Sequence, residues 1–128
     1  MNSYDFEKAR EFFRAKTAFT TGVHELEVLI NSRKNPDSWQ VVDVRYPSDF
    51  AEARVPGAIN LPKGKWKDAK GLRKDATIFL YCYTQTCHLA AEAGAELSAQ
   101  GYQVVEVEGG WETWVKNGYT VEKTAKSA

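Results

Sequence analysis

The chain has 128 residues, and its 17 Lys and Arg are balanced by 17 Asp and Glu, so it lacks the basic excess that nucleic acid or an anionic membrane surface would ask of a main partner. At 43% hydrophobic, 12% aromatic and 27% charged residues, the composition is that of a single globular domain burying about two thirds of its unfolded surface. No run approaches the roughly 18 apolar residues of a membrane span, and the charged start with Asp5, Glu7, Lys8, Arg10 and Glu11 has no secretory apolar stretch; a cytoplasmic location is expected.

Phe6, Ala9, Phe12 and Phe13 recur at helical spacing among charged residues, which predicts an amphipathic helix over residues 3–16. It is expected to pack on its own domain, a dimer contact being the alternative. After an extended piece at residues 18–20, Thr21 is positioned to cap a second helix carrying Val23, Leu26, Leu29 and Ile30, which Asn35 and Pro36 end. Residues 39–44 read as a strand passing into Tyr46, Pro47, Ser48 and Asp49, the start of a short helix. Pro56 and Pro62 bracket a turn and a very short strand.

The run T-I-F-L-Y-C at residues 77–82 is the most hydrophobic in the chain. It predicts a strand buried on both faces, at the centre of the sheet. Residues 89–100 place Ala90, Ala93, Gly94 and Leu97 on one helical face before Gly101, and a further strand covers 102–107. Glu108, Gly109 and Gly110 then turn into a last helix holding Trp111 and Trp114, and residues 122–128 read as a frayed polar tail. Strands alternating with helices predict an α/β fold, a parallel sheet covered on both faces. The expected units are a helix at 1–17, a domain at 18–121 and a tail at 122–128.

Cys82 and Cys87 are the only cysteines, with four residues between them, too close to staple distant parts of a fold. In open α/β sheets ligands bind beyond the carboxyl ends of the strands, and Cys82 ends the central one. The loop Cys82-Tyr83-Thr84-Gln85-Thr86-Cys87-His88 is short enough that its backbone must curl, aiming N–H groups inward. Those groups and the following helix terminus are expected to favour thiolate at Cys82, a drop of about 2 pKa units costing about 2.7 kcal/mol. The competing reading is a small buried hydrophobe completing an apolar strand.

With V-V-D-V-R at residues 41–45, D-F-A-E-A-R-V-P-G-A-I-N-L-P at 49–62, F-L-Y-C at 79–82 and V-E-G-G-W-E-T-W at 107–114, the chain resembles the rhodanese homology domain over residues 18–119. The resemblance implies a five-stranded, mostly parallel sheet flanked by helices. It implies a sulfurtransferase in which Cys82 accepts a sulfane sulfur from thiosulfate or a persulfide and passes it to a thiol or cyanide, with Tyr83, Thr84, Gln85, Thr86, Cys87 and His88 forming the substrate-binding loop. No metal or organic cofactor is required. Members of this family commonly carry glycine fourth and arginine sixth in the loop, where this chain has Gln85 and Cys87. The curl is therefore expected to differ, and a less charged persulfide, including one carried on a protein, becomes the expected donor. The chain is expected to be a monomer or weak homodimer.

Cys87 has three readings: a filler, a resolving thiol that would make the chain a dithiol redox protein, or a second sulfur carrier. A non-catalytic binding module is the remaining alternative. His88 is either a proton donor or a solvated residue, and Cys, Cys and His here do not match a zinc pattern. Asp43 and Arg45 are expected to pair and hold loops, Arg54 to be solvated, Glu108 to brace the loop, and Trp66, Trp111 and Trp114 to be core or pocket wall.

Overall fold

The protein is described by a computed structural model covering residues 3–124. The first helix, α1 (Phe6–Phe19), begins at Asp5, whose side chain accepts the Lys8 N–H at 3.0 Å, the usual N-cap arrangement. It runs directly into β1 (Thr20–Gly22), and Gly22 starts α2 (Val23–Ser32) without a side-chain cap. Thr21 lies in the strand and does not cap. Arg33 ends α2 in the left-handed conformation, φ 53°.

Next come β2 (Trp39–Asp43), α3 (Pro47–Glu52), β3 (Ala53–Arg54) and β4 (Ile59–Asn60). Pro47 sits in the first turn of α3, where its missing N–H leaves no helical bond unmade. The chain continues through β5 (Thr77–Tyr81), α4 (Leu89–Ala99), β6 (Gln103–Glu108), α5 (Gly110–Lys116) and β7 (Glu122–Lys123). The main sheet has five strands in the order β1-β6-β5-β2-β4, and every pairing in it is parallel. β5 occupies the centre, as its apolar run predicts.

Successive side chains of a strand point to opposite faces, and the two faces build two core layers. Val42, Val44, Ile78 and Leu80 pack with Ala90, Ala93 and Leu97 of α4 on one side. Val41, Tyr81 and Val107 pack with Val23 and Leu26 of α2 and Trp114 of α5 on the other. Trp66 and Trp114 are buried, and each satisfies its indole N–H with a main-chain carbonyl, Leu61 at 2.9 Å and Thr120 at 2.9 Å.

Three further expectations are corrected. The helix α1 touches its domain at its C-terminal end, where Lys16 meets Glu108, but none of its residues is buried and its phenylalanines stay exposed. Thr20 is at once the helix C-cap and the first residue of β1, so no connection remains in which the chain could reverse and dock the helix. The expected tail at 122–128 begins as a strand, β7 pairing antiparallel with β3. Arg54 is correspondingly not a solvated charge: it donates to Glu122 at 2.9 Å and to the Phe50 carbonyl at 3.2 Å. Residues 125–128 of the expected tail lie outside the described residues. Among the described residues, no helix is long and apolar enough to cross a membrane.

Candidate active site

β5 delivers Cys82 to the carboxyl edge of the sheet, one residue beyond its last paired position, and the chain curls through residues 83–88 into α4. The curl contains a turn in which the Cys87 N–H reaches the Thr84 carbonyl at 3.1 Å. Non-glycine residues with positive φ among those described are Arg33, Asn35 and Ala69. Gln85 therefore makes the curl without entering the left-handed region.

The loop is held from behind by the start of α5. Trp111 N–H donates to the Cys82 carbonyl and Glu112 N–H to the Tyr83 carbonyl, each at 2.8 Å. These contacts require Gly110: at φ 63° it is left-handed, and a Cβ there would lie 2.8 Å from the Cys82 carbonyl oxygen and 3.2 Å from the Thr84 nitrogen, closer than real side chains come. The sequence marks Gly109 and Gly110 as a turn; the structure adds that Gly110 is the floor on which the loop rests.

Side chains fix the loop at both ends. Tyr83 donates to Asp49 and accepts the Tyr46 N–H at 3.0 Å; burial and the Asp49 carboxylate push its phenol up to about 12. Gln85 donates to Glu108 at 3.1 Å, and Lys16 of α1 meets the same carboxylate oxygen at 3.1 Å. Glu108 thus braces the loop as expected, with its pKa held down chiefly by Lys16. Asp43 and Arg45 form the expected pair, fully inside the protein: Arg45 donates to Asp43 at 2.8 Å and to the Ala53 carbonyl at 2.6 Å, and its guanidinium stacks 4.3 Å from the Trp111 ring centroid. Its charge is already spent on Asp43, so it offers no free cation to an anionic donor.

The two sulfurs share one environment. Cys82 is 3% exposed and Cys87 is half-buried, and the Cys82 thiol donates to the Cys87 carbonyl at 3.4 Å. Burial pushes Cys82 up to about 12, the adjacent Cys87 sulfur adds to the rise, and the N–H groups of Ala90 and Tyr83 only partly oppose it. At Cys87 burial also opposes ionisation, but the Cys82 thiol and the N–H groups of Tyr83, Leu89 and Thr84 outweigh it, so its pKa falls. The expected thiolate at Cys82 is therefore corrected. The inward N–H groups converge on the sulfur at the sixth loop position, and two facing sulfurs carry a first negative charge on the one with more donors and more water.

The other loop residues divide. Thr84 and Thr86 bring their hydroxyls within 3.4 Å of each other. His88 is exposed, makes no capping bond at the start of α4, and has as its charged neighbour Glu106, whose pKa burial raises and His88 lowers. Among the described residues no three His, Cys, Asp or Glu side chains gather as a metal site would need. Sequence reasoning missed the Tyr83–Asp49 and Tyr83–Tyr46 anchors, since nothing in the letters pairs residues so far apart.

Known proteins share this arrangement. The chain is 31% identical over 77 residues, 59% of its length, to the uncharacterised YqhL protein of Bacillus subtilis, and the match spans 60% of that relative. The crystal structure of BH2092 from Bacillus halodurans superposes with a TM-score of 0.82 at 30% identity, covering 94% of this chain and 88% of that one. A rhodanese-like domain protein from Staphylococcus aureus gives a TM-score of 0.70 at 25% identity, over 84% and 99% of the two chains. A family model for the rhodanese-like domain matches residues 23–117, from the start of α2 to the end of α5. Sequence and fold agree, and the chain belongs to the rhodanese-like domain family.

Proposed function

We propose that the chain is a sulfurtransferase that carries a sulfane sulfur as a Cys82 persulfide. The observation that carries this reading is a thiol at the carboxyl end of the central strand, hydrogen-bonded to the main chain of a loop in which a second thiol, Cys87, ionises more readily than a free cysteine because the Cys82 thiol and the loop N–H groups outweigh its burial. Cys87 then supplies what Cys82 lacks. In the ionised form of Cys87, the Cys82 proton passes to the Cys87 sulfur, and the freed Cys82 thiolate attacks the outer sulfur of a donor persulfide R–S–SH. The donor S–S bond breaks, R–S⁻ leaves and takes the proton from Cys87, and Cys82–S–SH remains. An acceptor thiolate attacks that outer sulfur in turn, yielding its own persulfide and returning Cys82 as thiolate. Such two-step transfer through an enzyme nucleophile is covalent catalysis.

The donor follows from the charges. Arg45 is neutralised by Asp43, and the loop positions 83–88 carry no lysine or arginine, so a doubly charged thiosulfate finds no fixed cation there. A small or protein-borne persulfide in a reducing cytoplasm is the better fit, with a thiol as acceptor. Mass spectrometry after incubation with glutathione persulfide, and separately with thiosulfate, should show one added sulfur that disappears in Cys82→Ser. Absence of the adduct with every donor overturns the proposal; an adduct that survives Cys82→Ser and is lost in Cys87→Ser moves the carrier to Cys87.

The facing sulfurs favour one second reading, a dithiol redox protein. There, Cys82 and Cys87 would lose two electrons and two protons to a peroxide, which leaves as water, and form a disulfide. If mild peroxide leaves both thiols open to alkylation, that reading fails.

A further inference from the structure

The most unusual surface of the molecule is α1. Phe6, Phe12, Phe13 and Phe19 are 78%, 61%, 57% and 63% exposed, and Tyr4 just before the helix is 63% exposed. At 100° per residue the four phenylalanines fall in one arc of the helix, with Glu7, Glu11 and Arg14 opposite. Taking roughly 200 Å² for each aromatic side chain, this leaves on the order of 600 Å² of ring surface in water per chain, at or above the largest apolar patch of an ordinary monomer.

A matching concavity lies on the same molecule. Between α4 and the edge formed by β6 and β1 runs a groove of about 220 Å³ lined by Leu80, Ala91, Gly94, Ala95, Ser98 and Val104. The α4 side of it is made of small residues at positions 91, 94, 95 and 98, one helical face. Small side chains leave room for a second helix to approach closely, with large rings entering the hollow. Phe19, at the root of α1, already stands at the groove's rim. The rest of α1 cannot follow it, because β1 begins at the residue after the helix ends and a helix needs a connection of a few residues to fold back on its own sheet.

We propose that the occupant is the α1 helix of a second copy, in a reciprocal dimer in which each chain inserts its phenylalanine face into the other's α4 groove. Exchange of an identical element across a twofold axis is an economical route to dimers when the hinge is short. The area is sufficient: two copies bring about 1,200 Å² from the rings alone, and the groove walls add to this, which reaches the size of a stable interface. Charge agrees as well. Arg10, next to Phe6 around the helix, borders the apolar face of α1, while Glu106 lies in the groove. Residues 5–16 hold four basic and three acidic side chains, a balance unlike the basic face of a helix that lies on an anionic membrane.

The test is the mass of the particle in solution, followed by sedimentation over a roughly hundredfold dilution series. Wild type should sediment at twice the 14.4 kDa chain mass. Phe12→Glu with Phe13→Glu, and separately Ala95→Arg, should each give single chains with unchanged far-UV circular dichroism. Mixing the two variants should restore a two-chain particle, because the intact helix of one fits the intact groove of the other. If Ala95→Arg fails to fold, Ala91→Lys on the same exposed face replaces it. A wild-type chain that stays single throughout overturns the proposal, as does a dimer indifferent to the groove substitution. A single chain that instead co-sediments through α1 with phosphatidylcholine and phosphatidylserine vesicles assigns the helix to a membrane and overturns it equally.

Discussion

Replacing Gly110 by alanine tests whether the cysteine loop is held in shape from behind. The substitution adds one methyl group where the structure has no room. Its Cβ would lie 2.8 Å from the Cys82 carbonyl oxygen and 3.2 Å from both the Thr84 nitrogen and the Tyr83 carbonyl carbon, and all three are main-chain atoms that cannot swing aside. The left-handed backbone, φ 63°, costs about 1 kcal/mol for any residue with a Cβ. Overpacking against a fixed main chain adds about 1–3 kcal/mol, so the loss should be about 2–4 kcal/mol. For a domain of this length each kcal/mol lowers the melting temperature by roughly 3–5 °C, which places the fall at roughly 6–20 °C. Gly118→Ala is the control. Gly118 has φ 73° with nothing within 4 Å of the added carbon, so it should lose only the backbone contribution of about 1 kcal/mol. Thermal melts of the two variants measure the difference. The rate of sulfur loading measures a second consequence: relieving the clash pushes the loop off the 2.8 Å bonds from Trp111 and Glu112, and a displacement near 1 Å costs on the order of a hundredfold in rate. Equal melting temperatures and equal loading rates for the two alanine variants would refute the idea that α5 sets the loop.

The thiol pair gives a crossed expectation in alkylation rate against pH. Removing Cys87 takes away a group that holds the Cys82 proton on, so Cys82 in Cys87→Ala should ionise at lower pH than its wild-type value of about 12. Removing Cys82 takes away a donor to Cys87, so Cys87 in Cys82→Ala should ionise at higher pH than in wild type; titrations that leave each thiol unmoved would show that the sulfurs do not interact. Arg45→Met leaves the Asp43 carboxylate, 0% exposed, buried without its counter-ion, and denaturant unfolding should register a loss of about 3–5 kcal/mol; a loss below about 1 kcal/mol would mean that the pair is not structurally needed. Glu122 ionises more readily than a free carboxylate because the Gly57 N–H and Arg54 hold its anion. A depressed folded-state pKa contributes stability that is present above about pH 4.3 and lost as pH falls through the lower folded value. Glu122→Gln should therefore flatten the acid limb of the stability curve, and an unchanged acid limb would count against the β3–β7 clasp.

What could be read along the chain was whatever depends on neighbours in sequence. The apolar run at 77–82 marks a strand covered on both faces, the small residues at 90, 93 and 94 mark a helix face, and Gly101 marks its end; each is a local periodicity or a local breaker. Cys82 at a strand's carboxyl edge, the feature that locates the site, follows from the same local pattern together with the general habit of parallel sheets. Asp43 and Arg45, two residues apart at a strand end, could also be paired on paper. The route of the loop could not. Whether N–H groups converge on the second or the first sulfur depends on how residues 83–88 turn and on the support that Gly110 gives from a segment over twenty residues away.

The same limit explains the other departures. Arg54 reads as a solvated charge until β7 arrives beside it from the far end of the chain, and α1 reads as a domain-packed helix until the absence of any joint before β1 holds it out in water. Sequence by itself determined the family, the main alternation of strands and helices and the place of Cys82 at a strand's carboxyl end, because hydrophobic period and chain punctuation act between adjacent residues. Tertiary structure alone decided which sulfur ionises more readily, which cation is already paired and which helix face lies exposed, because electrostatics and burial depend on distance in space, and distance in space is set only when remote segments meet.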